Sequence, residues 1–205
     1  GRHTLFNGAD TMSDSRTQAL NTIRAEHRTL AAVIHNLKDL LTEVHAQRMK
    51  VDFPLLWSMV YYIDAFPDRL HHPKEDEWLF RLLRQRTHEA DALIDELQRQ
   101  HTHEPQALGE IRRWLGNVEA GVPGSMDALM RTVATYAEFT WRHLKTEEHE
   151  LIPLAETHLT SADWDEIAHA FAQNADPLNG FGEADAFHQR FREIVERTPA
   201  PLGLA

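Results

Sequence analysis

Apolar residues recur every three or four positions from Ser15 to Val44, through Ile23, Leu30, Ile34, Leu37 and Leu41, with Arg, Lys and Asp between them. This spacing predicts one long amphipathic helix. Asp52 is placed to cap a second helix with Pro54 just inside it. Leu56, Val60 and Ile63 carry that helix towards Leu83, with bends expected at Pro67 and Pro73. A third helix is predicted from Glu89 to Val118 through Leu93, Leu97, Leu108, Ile111 and Leu115, its pattern interrupted at Pro105. The run Gly121, Val122, Pro123, Gly124, Ser125 is a break. A fourth helix follows through Leu129, Val133, Tyr136, Thr140 and Leu151 to about His158. No segment alternates with period two for long enough to make a strand. Four long helices with short connections predict an all-α chain, by default an antiparallel up-down four-helix bundle over residues 15–159. A capped helix over Ser161–Ala172, turns over Asn174–Gly182 and amphipathic spacing over Ala184–Glu196 predict short additional C-terminal helices packed on the bundle, residues 160–197. Residues 1–14 and 198–205 are expected to be flexible.

Composition narrows the chemistry. The 205 residues are 42% hydrophobic, enough for a real core. Lys plus Arg number 21 against 32 Asp plus Glu, a net charge of −11, so a nucleic-acid backbone or anionic membrane would be repelled and neither is an expected partner. No stretch reaches the roughly 18 uninterrupted apolar residues of a membrane span; the most apolar, Val51 to Phe66, contains Asp52, Pro54 and Asp64. Gly1 to Thr11 lacks the pattern of a secretory signal, which makes the cytoplasm the expected compartment. With no Cys, disulfides, thiolate metal sites, iron-sulfur clusters and thiol nucleophiles are excluded. Any metal chemistry must use nitrogen and oxygen, and the 14 His are about three times an ordinary share.

His71 with Glu75 and His143 with Glu147 each stand four residues apart, on one face of a helix and one turn from each other. Chance alone supplies roughly one such pair in this composition, so register matters more than number. HHPKEDEWLF at 71–80 aligns with HLKTEEHELI at 143–152, and EHRTLAAVIHNL from Glu26 aligns with QHTHEPQALGEI from Gln100. His27 and His101 are 74 residues apart and His71 and His143 are 72. The chain therefore reads as two related helical hairpins, each offering one His on its first helix and a His, Glu pair on its second. All six positions continue the apolar stripes and are expected to point inward. Burying four imidazoles and two carboxylates without partners would cost several kcal/mol each, and a pair of cations compensates them. The two Glu can bridge two metals while two His per metal leave a position open for a small ligand. Imidazole plus carboxylate suits iron, manganese or zinc, with iron favoured by six protein ligands in a bundle core. Glu-x-x-His pairs of the ferritin type occur only at Glu166 to His169, outside the bundle.

These residues resemble the hemerythrin-like, or HHE cation-binding, domain, with AEHRTL around His27, HHPKEDEWLF around Glu75, DELQRQH ending at His101 and HLKTEEHELIP around Glu147. The resemblance spans about Ile23 to Pro153. It implies a four-helix bundle and a di-iron centre, carboxylate-bridged and compatible with an oxo or hydroxo bridge, ligated by His27, His71, Glu75, His101, His143 and Glu147. Oxygen-carrying hemerythrins use more His on the third helix and an Asp on the fourth, so reversible oxygen carriage is not implied. The implied function is binding or reaction with dioxygen, nitric oxide or peroxide in sensing, scavenging or stress response. Alternatives are iron donation for iron-sulfur cluster repair, or a metal-stabilised interaction module, as monomer or homodimer; the redox partner is not identified. His72 is a possible substitute for His71, paired with Asp76 if the helix is overwound at Pro73. His103, Glu148 and His149 are expected to be solvated or to orient a ligand's free ring nitrogen. His35, His45, His88, His158, His169 and His188 are assigned to the surface, and Trp57, Tyr61, Tyr62, Trp78 and Trp141 to packing.

Overall fold

The computed structural model describes residues 8–174, with side chains from residue 14 onward. Among the described residues every regular element is helical. Helix α1 is Gly8–His45 and α3 is Asp91–Glu119. Helix α2 spans 53–86, with π-helical turns at Asp64–His71 and Glu75–Phe80. Helix α4 spans 125–158, with one π-helical segment at Glu147–Leu151, and α5 is Ser161–Ala172. The stretches 1–7, 175–182, 184–196 and 198–205 that the sequence reading assigned lie outside the described residues.

Local chemistry accounts for the boundaries. Asp52 accepts a hydrogen bond from the Leu55 amide at 3.1 Å and caps α2, with Pro54 in the first turn where its missing N–H costs nothing. The turn before α4 places Gly121 and Gly124 at φ 76°, where a side chain would be strained. Thr160 caps α5 in a capping box, accepting from the Asp163 amide while the Asp163 carboxylate accepts from the Thr160 amide. Helix α1 starts seven residues before the apolar stripe read from the sequence, and no Pro interrupts Gly8–His45. Pro105 does not break α3.

Two of the three π-helical segments have an identifiable cause. A Pro cannot donate to the carbonyl four residues back and its ring clashes with it. Pro67 lies inside the first π-helical stretch, and the residues four before Pro73 and Pro153 are Arg69 and His149, each within a π-helical segment. Wider i to i+5 turns relieve these clashes, and they stand at Pro67 and on either side of Pro73, where the sequence predicts bends.

Among the described residues the core has two large apolar clusters and a small third one of Ala31 and Leu144. One gathers Leu30 to Leu41 of α1, Leu55 to Phe66 of α2, Leu108 to Leu115 of α3 and Leu129 to Tyr136 of α4. The other gathers Ala19 to Ile23, Leu79 to Leu83, Ile94 and Leu97, and Leu151 to Ala155, closed by Trp164, Ile167 and Phe171 of α5. On each long helix the His and Glu positions fall between its two apolar segments, which creates a polar layer inside the protein. Helix α5 packs along α1 beside this second cluster.

Candidate metal centre

The six residues singled out by register meet in that polar layer. His27, His71, Glu75, His101, His143 and Glu147 are all buried, and the side chains of His27, Glu75 and Glu147 have no exposed surface. His27 comes from α1, His71 and Glu75 from α2, His101 from α3, and His143 and Glu147 from α4. Each occupies the apolar stripe of its helix, so the same force that folds the helices carries these groups inward.

The imidazoles share one orientation. On the outer side, Nδ1 of His27 lies 3.0 Å from Glu148, Nδ1 of His71 3.3 Å from Glu26, Nδ1 of His101 2.9 Å from Asp76, and Nδ1 of His143 2.6 Å from the Gln100 amide oxygen. An acceptor at Nδ1 selects the tautomer whose Nε2 carries a lone pair. On the inner side, the Nε2 atoms of His27 and His71 are 3.0 Å apart, as are those of His101 and His143. Four Nε2 atoms thus converge as two pairs.

The carboxylates lie between the pairs. Glu75 Oε1 is 3.0 Å from His71 Nε2 and 3.6 Å from His101 Nε2, while its Oε2 is 3.5 Å from His27 Nε2. Glu147 reaches His27 Nε2 at 3.3 Å with Oε1 and His143 Nε2 at 3.4 Å with Oε2. None of these four buried oxygens has an aligned hydrogen bond. An unsatisfied buried carboxylate is costly, and as long as the imidazoles are neutral their inward nitrogens offer it lone pairs and no donors. Such a donor set fits cations.

His72 also enters the layer, beside His71 and not in place of it. Its ring stacks on His101 with centroids 4.3 Å apart and lies 5.6 Å from the ring of His71. Consecutive residues of an α-helix point about 100° apart, and the flanking π-helical turns allow both His to be buried. Its neighbour is Glu104, not Asp76: Nδ1 of His72 is 2.9 Å from Glu104, whose other oxygen accepts from the Tyr136 hydroxyl at 2.7 Å. One potential ligand atom each from His27, His71, Glu75 and Glu147 falls within 4.8 Å of the others, and likewise for His72, Glu75, His101 and His143. Glu75 is common to both sets.

Electrostatics express the same demand for positive charge. Burial pulls the His27 imidazole down, yet its contacts with Glu148 and Glu75 override this and raise its pKa to about 9. Burial likewise opposes charge on His72, and Glu104 and Asp68 bring it up to about 10. For Glu75 burial favours the neutral acid, but His71 and His27 hold it well below the usual range. His143 is pushed down to about 3 by burial, then by His101 and His72, and is neutral with a lone pair to share. Protons on His27 and His72 stand in for the charge a cation would bring.

Of the neighbours considered from the sequence, Glu148 is buried and orients His27, whereas His103 and His149 are exposed. His35, His45, His88 and His169 are exposed and His158 partly so, while His188 lies outside the described residues. Tyr62 is buried, Tyr61 exposed, and Trp57, Trp78 and Trp141 half-buried. Phe80 stacks on His101 and Phe171 meets His71 edge-on. Glu104 goes unnoticed in the sequence and Tyr136 reads only as a stripe position of its helix, though Leu97, His101, Glu104, Leu108 and Ile111 form one stripe, as do Val133, Tyr136, Thr140 and His143.

The family profile of the hemerythrin HHE cation binding domain matches residues 18–155 of this chain. No match was found among curated proteins or among solved structures.

Proposed function

Since the chain belongs to the hemerythrin HHE cation binding domain family, we propose that it is a non-haem di-iron protein whose metal pair binds or reacts with dioxygen, nitric oxide or peroxide. The observation that carries this reading is the set of four buried, unsatisfied oxygens of Glu75 and Glu147 facing four Nε2 atoms whose tautomers are set from outside. In this reading the long helices run antiparallel. The order of apolar segments supports this: α1 and α3 pass from the second cluster through the polar layer to the first, and α2 and α4 in the opposite sense.

His27 and His71 would hold one iron and His101 and His143 the other, with Glu75 and Glu147 within reach of both pairs. His72 would add to the second set, beyond the six ligands expected from the sequence. Iron supplies one-electron redox chemistry and an open coordination position for a diatomic or peroxide ligand. The protein contributes orientation through Glu148, Glu26, Asp76 and Gln100, and a dry chamber through the two apolar clusters. Phe80 stacks on His101 and Phe171 meets His71 edge-on, so each ring has apolar cover on one side.

Elemental analysis of purified protein, with its optical spectrum before and after admission of air to the reduced form, tests the reading. Two irons per chain and a new near-ultraviolet absorption band in air are expected; zinc alone with a featureless spectrum would overturn the iron assignment.

A further inference from the structure

Beside the central layer, on the side of α2 and α3, lies a pocket of about 160 Å³ lined by Asp68, His72, Asp76 and His101, with Pro73 and Pro105 at its walls. Asp76 is one-third exposed and marks its opening, whereas the Asp68 and His72 side chains are more than nine-tenths buried. The other imidazoles of the layer have a single close outer acceptor at Nδ1, but Nδ1 of His72 faces two carboxylates, Glu104 at 2.9 Å and Asp68 at 3.5 Å. Neither contact is an aligned hydrogen bond, and both oxygens of Asp68 lack a donor. Glu104 is steadied by Tyr136, which donates to Oε1 and leaves Oε2 free to face inward.

One ligand atom each from Asp68, His72 and Glu104 lies within 4.8 Å of the others, and His72 also belongs to the set with Glu75, His101 and His143. We infer that Asp68, His72 and Glu104 form a loading site, where a divalent cation arriving through this pocket is first bound before passing to the dinuclear centre. Two carboxylates and an imidazole nitrogen form a hard, mixed donor set suited to a first-row divalent ion. A buried carboxylate without a donor is a standing cost that a passing cation removes. Asp68 and Glu104 bring two carboxylates against the single imidazole of His72. The shared His72 puts the waiting ion one imidazole ring from its destination.

This inference rests on the dinuclear reading and is tested separately from it. Metal-free full-length protein is mixed with Co²⁺, and uptake is followed by stopped-flow visible absorption, with final stoichiometry by elemental analysis. Wild type taking up fewer than two Co²⁺ per chain would overturn the dinuclear reading itself. Given two, Asp68→Asn is expected to load at least tenfold more slowly yet still reach two, and Asp68→Glu to recover most of the rate. Glu104→Gln gives an independent variant with the same expected slowing. Asp39→Asn, an exposed change of equal charge, should load like wild type, which separates a local site from long-range attraction. Unchanged uptake rates in both Asp68→Asn and Glu104→Gln, or a final loss of one Co²⁺ in Asp68→Asn, would overturn the loading site.

Discussion

Nδ1 of His27 on α1 lies 3.0 Å from Oε1 of Glu148 on α4, a contact joining residues 121 positions apart in the chain. The contact sets which nitrogen of His27 faces Glu75 and Glu147. Carboxylates that orient a ligand imidazole typically affect metal affinity by about 10–100-fold. Glu148→Ala is therefore expected to weaken iron binding by about that factor, with Glu148→Gln closer to wild type because its amide oxygen can still accept. Chelator competition on the three proteins measures this.

Removing a bridge should act more severely than removing an orienting group. Glu147 stands between His27 and His143, so Glu147→Ala is expected to abolish loading of the metal pair. A native-state ligand stabilises by mass action, so wild type should melt at a higher temperature with iron than without. That difference should vanish in Glu147→Ala, as calorimetry of loaded and stripped protein would show.

His72 separates the sequence-based ligand set from the one proposed on geometry. If it serves only as a packed side chain, His72→Ala leaves two irons per chain. The expected result is a weaker second iron, lost first on dialysis against a mild chelator, while the iron beside His27 and His71 remains. Iron content followed over dialysis distinguishes these outcomes.

Asp163 ties α5 to the rest of the molecule. It accepts from Arg86 at 2.7 and 3.0 Å and from the Thr160 amide at 3.0 Å. Burial works to raise its pKa, but Arg86 and Thr160 together hold it below the ordinary carboxylate value. A depressed native pKa means that the stabilisation is present above the unfolded-state value, about 3.9, and is lost as pH falls through the native value. Asp163→Asn should therefore destabilise the protein at neutral pH and flatten its stability profile on the acid side. Thr160→Ala, which removes the cap, is expected to cost about 1 kcal/mol with no change in iron content. Urea denaturation at several pH values reads both.

Much of this arrangement was legible before any coordinates. The 3.6-residue stripes placed the helices, and the matched register of His71 with His143 and of His27 with His101 selected six side chains that do come together. What escaped were groups whose role depends on helix geometry instead of spacing. His72 is adjacent to His71, and α-helical phase would turn one of the two away; the π-helical turns around Pro67 and Pro73 admit both. Glu104 and Asp68 gain significance only from their approach to His72 across helices. The apolar stripe of α1 set too late a start, because a helix needs no apolar period at its end and α1 is already helical at Gly8.

The most direct test of the central claim is anomalous diffraction at the iron edge from crystals of the reconstituted protein. Two peaks between Glu75 and Glu147, one beside His27 and His71 and the other beside His101 and His143, are the expected result. A single peak, or density only at surface carboxylates with the central layer empty of metal, would contradict it.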